Sequence, residues 1–206
     1  MEIYATEEQQ EQAVLGFLQR YWIAIVALIV IVLVGGAGWF WYQHQIDSQT
    51  QTASQSYQDT LLKAAQADKV NPDVFKAYAK KYQGAGSYPQ MAQLMLANRL
   101  VQDKHYVQAA TALSSVVTVA DEPIKSLAAL RLARVQSQLK NYDAAMKTLD
   151  GINLPSFKGI VESLKGDVWV AKGNVGQARN AYQQALADGE GSDPALQQKI
   201  DNLAGE

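Results

Sequence analysis

The chain contains no cysteine, so disulfides and thiolate chemistry are excluded. Histidine is almost as scarce, with only His44 and His105. A metal centre needs three or four converging ligands, and no local spacing of His, Asp and Glu supplies them. Both imidazoles read as surface side chains. A phosphate-binding signature is missing too: Gly84-Ala85-Gly86 and Gly189-Glu190-Gly191 are loop glycines with no Lys-Ser or Lys-Thr pair behind them. The paired acids Asp121-Glu122 and Asp188 with Glu190 fall near expected helix starts, where carboxylates stabilise exposed amide groups. These absences point to a non-enzymatic protein without cofactor or metal. A surplus of one charge is also lacking. Residues 43–206 hold 16 acidic and 17 basic side chains, and only Lys80-Lys81 are adjacent. Without a basic stripe to follow a phosphate backbone, nucleic acid is not an expected partner.

What the chain does have is one long apolar run. Tyr21 to Tyr42 is uncharged over 22 residues, and a helix needs roughly 20 apolar residues to cross a hydrocarbon core of about 30 Å. Aromatic rings flank it, Tyr21 and Trp22 on one side and Trp39, Phe40, Trp41 and Tyr42 on the other, as expected of side chains at the headgroup level. A cleaved signal peptide would begin with a basic segment and a shorter apolar core. Here Glu2, Glu7, Glu8 and Glu11 precede the run against a single Arg20, so the run reads as an uncleaved anchor. Arg20 is the only Lys or Arg before the run, and none occurs in residues 43–62. The positive-inside bias therefore predicts a cytoplasmic amino terminus, which in a bacterial cell leaves residues 43–206 in the periplasm. Gly35-Gly36-Ala37-Gly38 thins the outer end of the run without the four-residue spacing of a specific helix-pairing motif.

Residues 43–56 are polar and rich in Gln and Ser, but they lack Gly and Pro, and Ile46, Ala53, Tyr57, Leu61 and Ala64 recur at near-helical intervals. A helical stalk is expected. The five prolines, 72, 89, 123, 155 and 194, lie between apolar-periodic segments and mark helix starts. Asn71, Glu122 and Asp193 precede three of them as capping residues or close kin. Within the intervals a pattern returns. Leu96-Ala97, Leu100, Tyr106, Ala109, Leu113 and Val116 reappear 36 residues later as Leu132-Ala133, Gln136, Tyr142, Ala145, Leu149 and Ile152. A third copy, 33 residues further on, is Lys165-Gly166, Trp169, Val175, Ala178, Tyr182 and Ala185. Gln136 departs from the pattern where an aromatic is usual. These residues resemble the tetratricopeptide repeat, a helix-turn-helix of about 34 residues with small side chains at the helix crossings.

The expected architecture is all-α: a tail (1–20), a transmembrane helix (21–42), a polar stalk (43–56) and a tetratricopeptide-repeat-like α-solenoid (57–206). The clearest repeats are about 90–122, 126–157 and 159–191, with a degenerate unit at 57–83 before them and a capping helix at 194–203 after them. Ser114 to Ala120 has strand-like composition, but its place at the end of a repeat favours helix. Repeat register assigns Leu94, Asn98, Leu130, Arg134, Ser163 and Asp167 to an inner groove, a mixed surface suited to an extended peptide or a partner helix. Two rival readings are an oligomeric envelope scaffold and a membrane-tethered regulator. The regulator would act through the cytoplasmic tail, where Val14, Phe17, Leu18 and Tyr21 recur at helical spacing.

Taken together, the chain resembles the YfgM-type ancillary subunit of the bacterial SecYEG translocon. The resemblance rests on the opening Met1-Glu2-Ile3-Tyr4, the acidic tail, the single anchor, and the block Leu130-Arg131-Leu132-Ala133-Arg134-Val135-Gln136 that continues to Asp143-Ala144-Ala145-Met146-Lys147-Thr148-Leu149-Asp150. It implies a single-pass type II protein of the cell inner membrane with a periplasmic repeat domain. It further implies partners: the SecYEG translocon, the membrane-anchored periplasmic chaperone PpiD, and translocating or newly exported polypeptides to be passed to periplasmic chaperones.

Overall fold

The computed structural model describes residues 7–66, 71, 73–189 and 194–203, with side chains from Arg20 onward except those of residues 64–66. Met1-Glu2-Ile3-Tyr4, Pro72, Glu190-Gly191 and Asp193 lie outside the described residues, as do the side chains of Val14, Phe17 and Leu18. The described chain is helical with no strand, and it divides into two units, residues 1–51 and 52–206.

The first unit is built from helix α1 (Glu7–Gln66), which continues into the second. No proline interrupts it. Its most apolar window has a mean hydropathy of 2.7 and none of that window is buried. Side chains such as Ile31, Leu33 and Val34 are about two-thirds exposed, a surface that hydrocarbon accepts and water does not. Among the described residues this is the one helix long and apolar enough to cross a membrane. A Cβ added at Gly35, Gly36 or Gly38 meets nothing within 4 Å. The polar segment 43–56 is helical throughout.

The second unit is a run of helix pairs. After α2 (Asp73–Lys81) come α3 (Tyr88–Gln102) with α4 (Tyr106–Val119), α5 (Ile124–Gln138) with α6 (Tyr142–Asp150), and α7 (Lys158–Ala171) with α8 (Val175–Asp188). Helix α9 (Pro194–Asn202) follows. Each pair packs internally and against the next, and the first helices α3, α5 and α7 also touch in succession. Pro89 lies in the first turn of α3, Pro123 at the N-cap of α5, Pro155 opens a 3-10 turn before α7, and Pro194 opens α9. Asn71 accepts a 2.9 Å hydrogen bond from the Asp73 amide at the start of α2. Helix α4 absorbs the valine-rich stretch through Val119, and Ala120 leaves it in an extended conformation.

The turn inside each pair is made the same way three times. Lys104, Lys140 and Gly173 adopt positive φ of 61°, 59° and 76°. The amide of the following residue reaches back to close the helix: His105 to the Leu100 carbonyl, Asn141 to Gln136 and Asn174 to Trp169, at 2.7, 2.9 and 2.9 Å. This is the Schellman closure of a helix C-terminus, which satisfies carbonyls that the helix leaves without a partner.

Small residues then set the crossing distance. Ala109, Ala145 and Ala178 are fully buried on the second helices, and Ala97, Ala133 and Gly166 are buried on the first. The third pair differs in a compensated way. Tyr182 stands where the earlier pairs have Leu113 and Leu149, and a Cβ on Gly166 would lie 2.2 Å from its ring. A larger side chain on one helix has been matched by a smaller one on the other, as close packing requires.

The last turns of α1 belong to this unit. Ala53 is fully buried, and Tyr57 and Leu61 pack against the core formed by α2, α3 and α4. Tyr78 on α2 donates a 2.6 Å hydrogen bond to the Ala53 carbonyl, and the Ser56 and Tyr82 hydroxyls are 2.6 Å apart. The rings of Tyr57, Tyr78, Tyr82 and Tyr88 form tilted pairs with centroids 4.7–5.9 Å apart.

Candidate functional site: a cavity between successive helix pairs

A cavity of about 300 Å³ opens along the stacked first helices. Val101 of α3 and Tyr106 of α4 line one end, Ala133, Arg134 and Gln138 of α5 the middle, and Leu164, Asp167 and Val168 of α7 the other. The wall is mostly apolar, with two charges set into it.

Those two charges are differently placed. Asp167 is half-buried, and its Oδ1 accepts hydrogen bonds from the Tyr182 hydroxyl at 2.8 Å and from Lys199 Nζ at 2.6 Å. Lys199 comes from α9 and also lies over the Tyr182 ring, 5.3 Å from its centroid. Burial, and then the bond to Asp167, push the Tyr182 phenol well above its usual range. Arg134 is exposed and makes no hydrogen bond or ion pair among the described residues. Elsewhere in the repeats Lys172 pairs with Asp143 at 2.8 Å, Lys158 with Asp188 at 2.7 Å, and Lys165 with Asp150 and Glu162 at 2.9 Å. The Lys172 ammonium holds the Asp143 carboxyl below the usual range, and Lys158 with Gln184 does the same for Asp188.

Of the six residues that repeat register assigned to a groove, the structure brings Arg134 and Asp167 to this cavity. Asn98 is exposed on α3 and Ser163 half-buried on α7, and neither lines it. Leu94 and Leu130 are buried in the helix packing and do not line this cavity. The reason is packing: Leu94 sits in one core with Phe75 and Tyr78, and Leu130 in another with Val161 and Leu164. Gln136, the departure from the repeat pattern, accepts a 2.8 Å hydrogen bond from Thr148 on α6. It thus replaces aromatic packing with a polar tie inside the pair. His105 occupies the N-cap of α4, and His44 stacks on Phe40 with centroids 6.5 Å apart. No group of three or more His, Asp or Glu side chains converges among the described residues. On α1, Tyr21, Trp22, Trp39, Trp41 and Tyr42 are exposed, as is Arg20.

Comparison with known proteins matches the tetratricopeptide repeat-like domain to residues 16–205. The ancillary SecYEG translocon subunit of Escherichia coli strain K12 is 36% identical, over 99% of this chain and 100% of its own length. The chain belongs to the family of ancillary SecYEG translocon subunits. Family members from Aggregatibacter actinomycetemcomitans and Haemophilus influenzae are 30% and 33% identical, covering 97% and 73% of this chain and 99% and 74% of their own. Among solved structures, MamA from Desulfovibrio magneticus RS-1 superposes with a TM-score of 0.56 at 15% identity, over 76% of this chain and 84% of that one. That likeness is one of fold. Within this family member, sequence reasoning missed Val101, Tyr106, Leu164 and Val168 as cavity walls and Lys199 as the partner of Asp167. The walls were legible as the apolar neighbours of Arg134 and Asp167 on their helix faces. Lys199 carried no local signal, because the pair is 32 residues apart.

Proposed function

We propose that this chain is a single-pass adaptor of the bacterial inner membrane that associates with the SecYEG translocon and helps pass exported polypeptides to periplasmic chaperones. Residues 21–42 form the anchor, with Arg20 on the cytoplasmic side and the Trp39–Tyr42 cluster on the periplasmic side. The repeat domain, beginning within the last turns of α1, binds polypeptide in the groove marked by the cavity beside Arg134. The observation that carries this reading is the end-to-end match to the Escherichia coli translocon subunit, which takes in the long apolar helix of this chain as well as its repeats. Repeats of this kind recur with many partners, so a match over the whole length supports this setting more than a match of the repeats alone would.

The membrane-anchored chaperone PpiD is the proposed receiver, and translocating or newly exported chains are the proposed cargo. The adaptor role needs no catalytic group, and the cavity supplies walls and charge rather than a nucleophile or an acid-base pair.

Purification of the tagged full chain in a mild detergent tests the proposal. SecY, SecE and SecG, together with a periplasmic foldase, are expected to co-purify. Their absence, with crosslinks from Trp22 and Trp39 reaching only other copies of the chain, would establish a self-associating scaffold instead.

A further inference from the structure

We infer that the cavity beside Arg134 selects polypeptide segments in which one acidic side chain is flanked by apolar residues, and that Lys199 on α9 sets this preference by neutralising Asp167. The inference deepens the groove reading given above and rests on it.

The charge balance of the cavity carries the argument. Only Arg134 and Asp167 bring formal charge to its lining. Asp167 is already paired, since its Oδ1 accepts from both Tyr182 and Lys199. Arg134 has no such partner among the described residues. The unmet demand of the site is therefore one guanidinium in a mostly apolar wall that includes Val101, Ala133, Leu164 and Val168. A segment that covers this wall displaces water from Arg134, and burying a cation without a counter-charge is costly. A carboxylate meets that cost best, because the planar guanidinium donates two parallel hydrogen bonds to it. A neutral amide meets it in part, and an ammonium adds repulsion.

Lys199 decides whether this preference holds. Without its ammonium, Asp167 would present an uncompensated carboxylate in the same cavity as Arg134. It would then attract Arg134 to itself and repel an incoming acid. The selectivity thus depends on three residues from three helices: Arg134 of α5 and Asp167 of α7, which line the cavity, and Lys199 of α9, which does not.

The full chain in lipid nanodiscs, titrated into three fluorescein-labelled peptides, tests this by fluorescence anisotropy. The peptides are acetylated and amidated, share Leu, Val and Phe flanks, and carry Glu, Gln or Lys at the centre. Glu should bind about tenfold more tightly than Gln, the size expected of one charge-assisted hydrogen-bonded contact, and Lys should bind most weakly. Arg134→Gln should bring the Glu and Gln peptides to equal affinity. Arg134→Lys should keep part of the ratio. Lys199→Gln should shrink the ratio several-fold and Lys199→Arg restore it, with circular dichroism confirming that each variant is folded. Equal binding of Glu and Gln peptides by the unmodified chain would overturn the selectivity and leave the groove standing. An unchanged ratio in Lys199→Gln would overturn the role given to Lys199. Failure of all three peptides to bind would overturn both the inference and the groove reading.

Discussion

Gly166 and Tyr182 form a matched pair, and neither is replaceable alone. A methyl group at Gly166 would have to share space with a buried ring whose hydroxyl is tied to Asp167. Gly166→Ala should therefore cost about 1–3 kcal/mol, the usual range for overpacking a core. Adding Tyr182→Leu should recover part of the loss, because the combination reproduces Ala133 with Leu149 in the pair before it. A double-mutant cycle of chemical unfolding measures this directly, and strictly additive losses would refute the compensation. Tyr78 offers a second test at this scale. Burial, followed by the neighbouring phenols Tyr82, Tyr57 and Tyr88, pushes its hydroxyl up to about 12. An unfolded tyrosine ionises near pH 10. The stability that Tyr78 contributes is thus fully present below about pH 10 and lost as pH rises toward 12, since the unfolded chain releases its proton first. Tyr78→Phe should flatten that alkaline slope. At neutral pH it should cost about 1 kcal/mol through the lost bond to Ala53. Circular dichroism melts between pH 7 and 12 separate the two effects.

The intra-pair turns show how a repeat is made from unlike sequences. Gly173 takes its left-handed conformation without steric cost, whereas Lys104 and Lys140 hold the same conformation against their Cβ atoms. Lys140→Gly should stabilise the protein by about 1 kcal/mol, and Gly173→Ala should destabilise it by a similar amount. Thermal unfolding of the two variants is the check, and a loss in Lys140→Gly would mean that the lysine makes a contact worth more than its strain. These turns also mark how far the sequence could be read. The small residues at Ala109, Ala145 and Ala178 and the prolines between segments announced the helix pairs, because both features are required by the local geometry itself. Gly173 suits its turn by preference, whereas no local signal marks the turns at Lys104 and Lys140, since lysine adopts positive φ under tertiary constraint. Helix periodicity also could not separate Leu130 from Arg134. They share one helical face, and only the packing of Val161 and Leu164 determines which of them meets solvent.

At the scale of the molecule, the last turns of α1 and helix α2 serve as the opening layer of the helix stack. Phe75, Tyr78 and Ala79 share one core with residues of α3 such as Ala92 and Leu94, and Tyr57 and Leu61 of α1 pack against it. A stack of this kind is stable only when each layer has a neighbour and its ends are closed. A fragment beginning at Thr52 should therefore fold with a cooperative melt, while one beginning at Tyr88 should lose cooperativity. Differential scanning calorimetry of the two fragments checks this, and equal melts would show that the opening layer is dispensable. The sequence announced the layered plan through its repeat spacing. It did not announce the pairing of Asp167 with Lys199, because an ion pair between distant segments leaves no period. That pair has a consequence in time. Asp167 precedes Lys199 by 32 residues, so during synthesis the cavity wall is built before its counter-ion exists. A nascent chain that has folded only through α8 carries an unneutralised carboxylate in its cavity, and the cavity reaches its final charge only when α9 docks.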